Sequence, residues 1–262
     1  MSSTALAQME DNILLRLEAT GYDSDRNSVI SNSSSNDNDP FRRLDFVGSN
    51  PIPAYGAVSN SKFDLLPQGV QLAEDLRGGC GGRIWEAATV LIDYLLWKNK
   101  QLNDTLFKGQ KVIELGAGTG LVGLAVALGC PSLDNMVLTD QIPMMRLMQQ
   151  NIGLNNVQDK VEASVLDWGE LEKVPEACRA PDVILASDCV YLEVAFKPLV
   201  DTLLALADKD TEIYMSYRKR RNADKRFFNM ARKHFTLTEV MDDPKRSIYT
   251  RDRLKLYLMR KK

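Results

Sequence analysis

From Lys111 onward, short apolar strands alternate with helical patterns, which predicts an α/β fold: a mostly parallel sheet with helices on both faces. Two further observations support this. A glycine-rich turn, "GAGTG" at residues 116–120, directly follows the first of these strands, and open α/β sheets bind ligands at such loops. The last two apolar segments, "TLTEVMDD" and "RLKLYLMRK", show no helical pattern between them, so an antiparallel hairpin is expected at one edge.

The elements follow in order. Leu6, Met9, Ile13, Leu14 and Leu17 recur at helical spacing, so a short amphipathic helix is expected over Ala5–Ala19. Asp23–Pro40, rich in Ser, Asn and Asp with little to bury, reads as a flexible linker. Residues 1–40 are thus expected to be a flexible extension and 41–262 the domain proper. "GGCGG" interrupts the chain before a helical pattern from Trp85 to Trp97, carried by Ala88, Leu91, Ile92 and Leu95. Then come "KVIEL" (strand), "GLVGLAVALG" (helix), "NMVLTD" (strand), "PMMRLMQQNIGLN" (helix), "VEASVLDW" and "PDVILASD" (strands). "VAFKPLVDTLLALAD" (helix), "TEIYMSY" (strand) and "ADKRFFNMARKHF" (helix) lead into the final hairpin.

Composition excludes several classes. A formal charge of −2 provides no global field for nucleic acid, so direct nucleic-acid binding is not expected. No apolar run approaches the roughly 20 residues of a membrane helix, and the N-terminus lacks the pattern of a signal peptide. The four cysteines show no CxxC spacing, which argues against zinc and suits a reducing, cytoplasmic setting. His234, the single histidine, stands in "RKHFTL" among basic and apolar neighbours, which disfavours a histidine-dependent hydrolase.

The glycine turn holds two overlapping patterns. Gly118, Gly120 and Gly123 spell the dinucleotide fingerprint, while Gly116, Gly118 and Gly120 spell GxGxG directly after Glu114. The next strand ends at Asp140, placed to accept both hydroxyls of an adenosine ribose, which NAD-type and adenosyl-type ligands share. Glu114 separates them, since a carboxylate there repels a pyrophosphate and attracts a sulfonium and an amino group. On that reading Gly123 serves helix-to-sheet packing.

"VIELGAGTGLVGL", the acid of "LTD", the Asp-Trp of "VLDW" and "ASDCVY" together resemble the class I, seven-stranded S-adenosylmethionine-dependent methyltransferases, and within them the protein-lysine branch marked by Asp-x-x-Tyr. The resemblance covers roughly residues 63–260, includes "GGRIWEAATVLIDYL", and is nearest in character to the fungal enzymes that methylate translation elongation factors. It implies a Rossmann-like seven-stranded fold, S-adenosyl-L-methionine as cofactor, and a protein substrate such as elongation factor 1-alpha. It also assigns roles. Gly116, Ala117 and Gly118 line the methionine and ribose part, and Asp140 holds the ribose hydroxyls. Asp167 and Trp168 form the adenine pocket, Trp85 enters from the preceding helix, and Ser187 touches the ligand through its backbone. Plainer roles stand beside these: Trp85 and Trp168 as core anchors, Asp140 and Asp188 as helix caps.

In "SDCVY", Asp188 can accept a hydrogen bond from a lysine ε-amine, and Tyr191 offers an aromatic wall and a hydroxyl. The turn lacks the paired prolines of base methylases and the paired glutamates of arginine methyltransferases. "YRKRRNADKRFF" carries Arg218, Lys219, Arg220, Arg221, Lys225 and Arg226, either as a guide for an acidic protein surface or as a solvated loop. A small-molecule methyltransferase, a silent cofactor-binding module and, last, an NAD-dependent oxidoreductase are the competing readings. A monomer without membrane attachment is expected.

Overall fold

The computed structural model describes residues 58–75 and 80–262. The helix expected over Ala5–Ala19, the linker over Asp23–Pro40 and the domain start after residue 40 lie outside the described residues. The sheet consists of β3 (Lys111–Leu115), β4 (Asn135–Asp140), β5 (Val161–Val165), β6 (Val183–Ser187), β7 (Glu212–Arg218), β8 (Phe235–Glu239) and β9 (Leu254–Lys261). Ahead of it, β1 (Val58–Phe63) and β2 (Leu66–Ala73) form a separate antiparallel hairpin. The helices are α1 (Glu86–Gln101), α2 (Leu121–Gly129), α3 (Ile142–Leu154), α4 (Phe196–Leu206), α5 (Asp224–His234) and the short α6 (Arg246–Arg251).

Strand order in the seven-stranded sheet is β5-β4-β3-β6-β7-β9-β8. The first five are parallel, and β9 pairs antiparallel with both β7 and β8. The chain runs outward from β3 to β5 and then returns to place β6 on the other side of β3. That reversal opens a crevice at the carboxyl ends of β3 and β6, where such sheets bind ligands.

The central strands read as continuous apolar runs because both their faces are covered. Val112, Leu138 and Leu185 face a core shared with Leu91 and Leu95 of α1, Val122 of α2 and Met148 of α3. Ile113, Ile184 and Met215 face the opposite core, shared with Leu199 and Leu203 of α4 and Phe227 of α5. Helices therefore flank both faces, as the alternating pattern demanded.

The structure departs from the sequence reading in two places. The last two strands are antiparallel neighbours, yet α6 stands between them and β9 inserts inside β8, leaving β8 at the edge. The insertion is tied down by Lys245 and Tyr249, whose side chains both bond Asp93 of α1. The β1–β2 hairpin was also missed, because β1 is mostly exposed and so carries no apolar alternation.

Side chains, not strands, pair with that hairpin's free edge. Asn151 of α3 accepts from the Ala73 N–H at 2.8 Å and donates to the Ala73 carbonyl at 3.1 Å. One turn later, Asn155 does the same to Gln71, at 2.9 and 2.7 Å. Four residues of helix rise about 6 Å and two residues of strand about 6.6 Å, so the spacings nearly match. Asn151, 0% exposed, also donates to the carbonyl of Thr119 at 2.9 Å, joining the hairpin to the glycine turn.

Asn151→Ala strands three buried backbone groups and is expected to cost about 3 kcal/mol, while Asn155→Ala, whose bonds to Gln71 are open to solvent, costs below about 1 kcal/mol. Urea denaturation of the two variants checks the difference.

Candidate active site

After Leu115 the backbone turns left-handed at Gly116 (φ 63°) and Gly118 (φ 57°), a region that favours glycine. Space demands glycine as well. A Cβ on Gly116 would lie 2.8 Å from the Trp168 ring, and one on Gly118 only 2.4 Å from the Gly81 carbonyl oxygen. The turn is pinned to β4, since Ala117 N–H donates to Thr139 O at 2.9 Å and the Thr139 hydroxyl donates to Glu114 O at 2.6 Å.

Asp140 lies under this turn, its Oδ2 accepting from Gly118 N–H at 2.8 Å and its Oδ1 from Gln141 N–H at 2.7 Å. It is not the cap of α3, because Gln141 occupies that position and makes no side-chain cap bond. Burial raises its pKa against those two N–H bonds. Each oxygen keeps a further lone pair for a hydroxyl donor.

Glu114 is placed differently from the sequence reading. Its carboxyl is 2% exposed and accepts from the Gly123 N–H at 2.8 Å, satisfying one of the donors left free at the start of α2. Burial pushes its pKa up to about 8, against the Gly123 bond, which favours the charged form. Glu114 therefore supports the turn from within, and the charge argument that assigned it to a cationic ligand does not describe its position. Gly123 is the packing glycine expected: a Cβ there would lie 2.2 Å from Leu138.

Trp168 and Asp167 follow the end of β5, both half-buried, with the indole against Gly116. Ser187 ends β6, half-buried. The next residue, Asp188, is held at φ 56° and is 8% exposed; a left-handed non-glycine residue is a strained feature of the kind found at functional sites. Tyr191 is half-buried with its hydroxyl at the Cys80 thiol, and burial, then the Cys80 and Cys189 thiols, hold its pKa well above the ordinary tyrosine value. The hydroxyl thus stays protonated. Trp85, the residue before α1, donates its indole N–H to Cys80 O at 3.0 Å.

Sequence reasoning missed the partner of Asp188. Arg220 grips its carboxylate with two bonds, Nη1 to Oδ1 at 2.7 Å and Nη2 to Oδ2 at 2.6 Å, and its guanidinium lies 5.4 Å from the Trp85 ring centre. The other arginines of this run are matched too. Arg218 pairs with Glu86, Arg221 with Asp224 at 3.6 Å, and Arg226 with Glu193 at 2.7 Å. Among the described residues, only Lys219 and Lys225 of the run show no ion pair. A free basic patch is therefore reduced to two lysines. No local spacing reveals such pairs, since Arg218 and Glu86 are 132 residues apart.

A pH test isolates Glu114. Its folded pKa lies above the unfolded value, so its contribution is complete below about pH 4.5 and is lost as pH rises through 8. Wild type should therefore lose a few kcal/mol relative to Glu114→Gln, which keeps an acceptor for Gly123, between about pH 5 and 9. Urea midpoints of both proteins at the two pH values check this.

Residues 65–234 match the family described as lysine methyltransferase. The chain is 38% identical over 239 residues to the Saccharomyces cerevisiae protein-lysine N-methyltransferase EFM6, covering 83% of this chain and 96% of that protein. It is 36% identical over 208 residues to the Danio rerio protein N-lysine methyltransferase METTL21A, covering 76% and 90%. To the Xenopus tropicalis EEF1A lysine methyltransferase 3 it is 35% identical over 144 residues, covering 54% and 59%. With the glycine turn, Asp140 and the Asp188–Tyr191 pair gathered at one end of a seven-stranded sheet, the chain belongs to the lysine methyltransferase family.

Proposed function

We propose that this enzyme transfers a methyl group from S-adenosylmethionine to the ε-amine of a lysine in a translation elongation factor, elongation factor 1-alpha. The observation that carries the reading is that the loop of the strained Asp188 and Tyr191 packs on the glycine turn, the Cys189 thiol lying against Gly116 and Leu115. The similarity to a protein named for EEF1A supports the choice of acceptor.

The residues present fit the cofactor. Gly116, Ala117 and Gly118 place backbone groups and nothing larger than a methyl at the end of β3, packed by Trp168 and Gly81, and Asp140 retains lone pairs for two ribose hydroxyls. Asp167 would accept from the adenine amine while the Trp168 indole packs on the ring. Ser187 and Trp85 complete the rim, and Glu114 holds α2 and the turn in register. When bound, S-adenosylmethionine supplies the methyl as an electrophile on a sulfonium.

The protein's task is then the nucleophile. A free lysine, with a pKa near 10.4, is almost wholly protonated at pH 7 and has no lone pair to use. Asp188 and Tyr191 would orient the amine so that nitrogen stands roughly 3 Å from the methyl carbon. Arginine and base acceptors suit the site less, since the 187–191 turn carries neither paired glutamates nor a proline-shaped slot.

Action in the cytoplasm as a monomer belongs to the same reading. Four free cysteines, three of them buried, favour a reducing compartment.

Labelled S-adenosylmethionine, incubated with the enzyme and a lysate from cells lacking it, is expected to mark one protein on lysine, elongation factor 1-alpha. Label confined to small metabolites would sink the protein-lysine reading. Asp188→Ala should bind S-adenosylmethionine within about threefold of wild type by calorimetry while turnover falls at least about 100-fold. Asp140→Ala should weaken that binding about tenfold or more, through the lost hydroxyl contacts.

A further inference from the structure

We propose that Arg220 is a positioning residue for methyl transfer: it holds Asp188 in a neutral ion pair, so that the acceptor position left open on the carboxylate receives the target lysine as a free amine and not as an ammonium ion. The inference rests on the reading that Asp188 faces the reacting nitrogen.

An inventory of lone pairs leads to it. Asp188 Oδ1 accepts from Arg220 Nη1 at 2.7 Å and from the Arg218 N–H at 3.2 Å, whereas Oδ2, among the described residues, accepts only from Arg220 Nη2 at 2.6 Å. Each carboxylate oxygen takes two donors, so one position on Oδ2 remains. The arginine is held in place. Its own N–H donates to Asp224 Oδ2 at 3.1 Å, its guanidinium lies over Trp85, and its side chain is 27% exposed against 6% for Asp188.

The other charges facing the pair come from every packed element. Glu86 of α1 and Asp224 of α5 act on Arg220. Asp140 of β4 lies near as well, acting with Asp188 on the thiols of Cys80 and Cys189, while the buried Glu114 of β3 keeps its proton up to about pH 8. Arg83 lies over Trp85, Arg221 bonds the Tyr191 carbonyl, and Tyr191 itself is uncharged. At the mouth each acid has its own arginine: Glu86 with Arg218, Asp188 with Arg220, Asp224 with Arg221.

The balance of charge decides which form of the amine the site holds. An uncompensated carboxylate stabilises an ammonium and raises its pKa, keeping the proton on nitrogen. Attack needs that lone pair. The guanidinium cancels the bias and leaves Asp188 as a directional acceptor, which a neutral amine satisfies with one N–H. The proton lost beforehand goes to solvent at the half-exposed mouth. The lone pair then forms the nitrogen–carbon bond as the carbon–sulfur bond breaks; the electron pair stays on sulfur and the positive charge passes to nitrogen.

The test compares wild type, Arg220→Met, Arg220→Lys and Asp188→Asn. Single-turnover rates from pH 6.5 to 9.5 are measured with elongation factor 1-alpha as acceptor, or with whichever lysate protein takes the label. Proton release is measured by calorimetry, in buffers of different ionisation enthalpy, when that acceptor binds enzyme saturated with S-adenosylhomocysteine. For Arg220→Met the rising limb should move up by about one pH unit or more, a loss of about tenfold at pH 7 that recovers at high pH, with fewer protons released. Arg220→Lys, keeping the charge, should stay within about half a unit of wild type. An Arg220→Met limb that does not move, with a uniform loss of rate and unchanged proton release, overturns the inference and leaves Asp188 in its role if Asp188→Asn is inactive. Full turnover by Asp188→Asn, or no labelled protein with wild type, overturns the reading beneath it and the inference together.

Discussion

The ligand end of the sheet depends on one backbone constraint, the left-handed turn through Gly116 and Gly118 after β3. Because neither residue carries a Cβ, Trp168 can lie on the first and the Gly81 backbone on the second. Polar groups then hold the turn from several sides: Thr139 and Asp140 from β4, Asn151 from α3, and Glu114 through the start of α2. The N-terminal hairpin is joined to the same turn, since the side chain that grips Ala73 also grips Thr119. A carboxyl as deeply buried as Glu114 is tolerable only because a backbone N–H meets it and its proton stays on over much of the neutral range.

Opposite the turn, the crevice mouth is organised by paired charges. A two-bond pair such as Arg220–Asp188 is weak evidence for stability, because desolvating both ions offsets much of their attraction. Its value is geometric. The fork of the guanidinium fixes the plane of the carboxylate, and the indole of Trp85 fixes the guanidinium. The strained φ of Asp188 belongs to the same arrangement, for its N–H donates to Ser216 O at 2.8 Å while its side chain meets Arg218 at the end of β7 and Arg220 in the β7–α5 connection.

Much of this was legible in the chain. The parallel strands and their helices were readable because apolar periodicity is a local property, and Gly116, Gly118 and Gly123 because each position admits no side chain. The position of Asp140 under the turn was readable from its spacing, because one short helix and one strand of ordinary length bring the chain back beside Gly118. The hairpin β1–β2 was not readable, since its outer strand buries only Phe63 and its inner edge is paired by asparagine side chains. The short α6 was missed for a similar reason: it has no buried residues and so no apolar stripe.

The sequence by itself determined the α/β class, the glycine turn and the local grouping of Asp188 with Tyr191, because period, chirality and backbone sterics act between near neighbours. Tertiary structure alone decided who answers whose charge. Glu114 meets Gly123 inside the protein, Arg220 crosses 32 residues to reach Asp188, and Asn151 crosses 78 to reach Ala73. Partner choice follows from proximity and the high cost of an unpaired polar group in a low-dielectric interior. A run of arginines reads the same along the chain whether it is solvated or matched acid by acid, and only the folded arrangement separates the two.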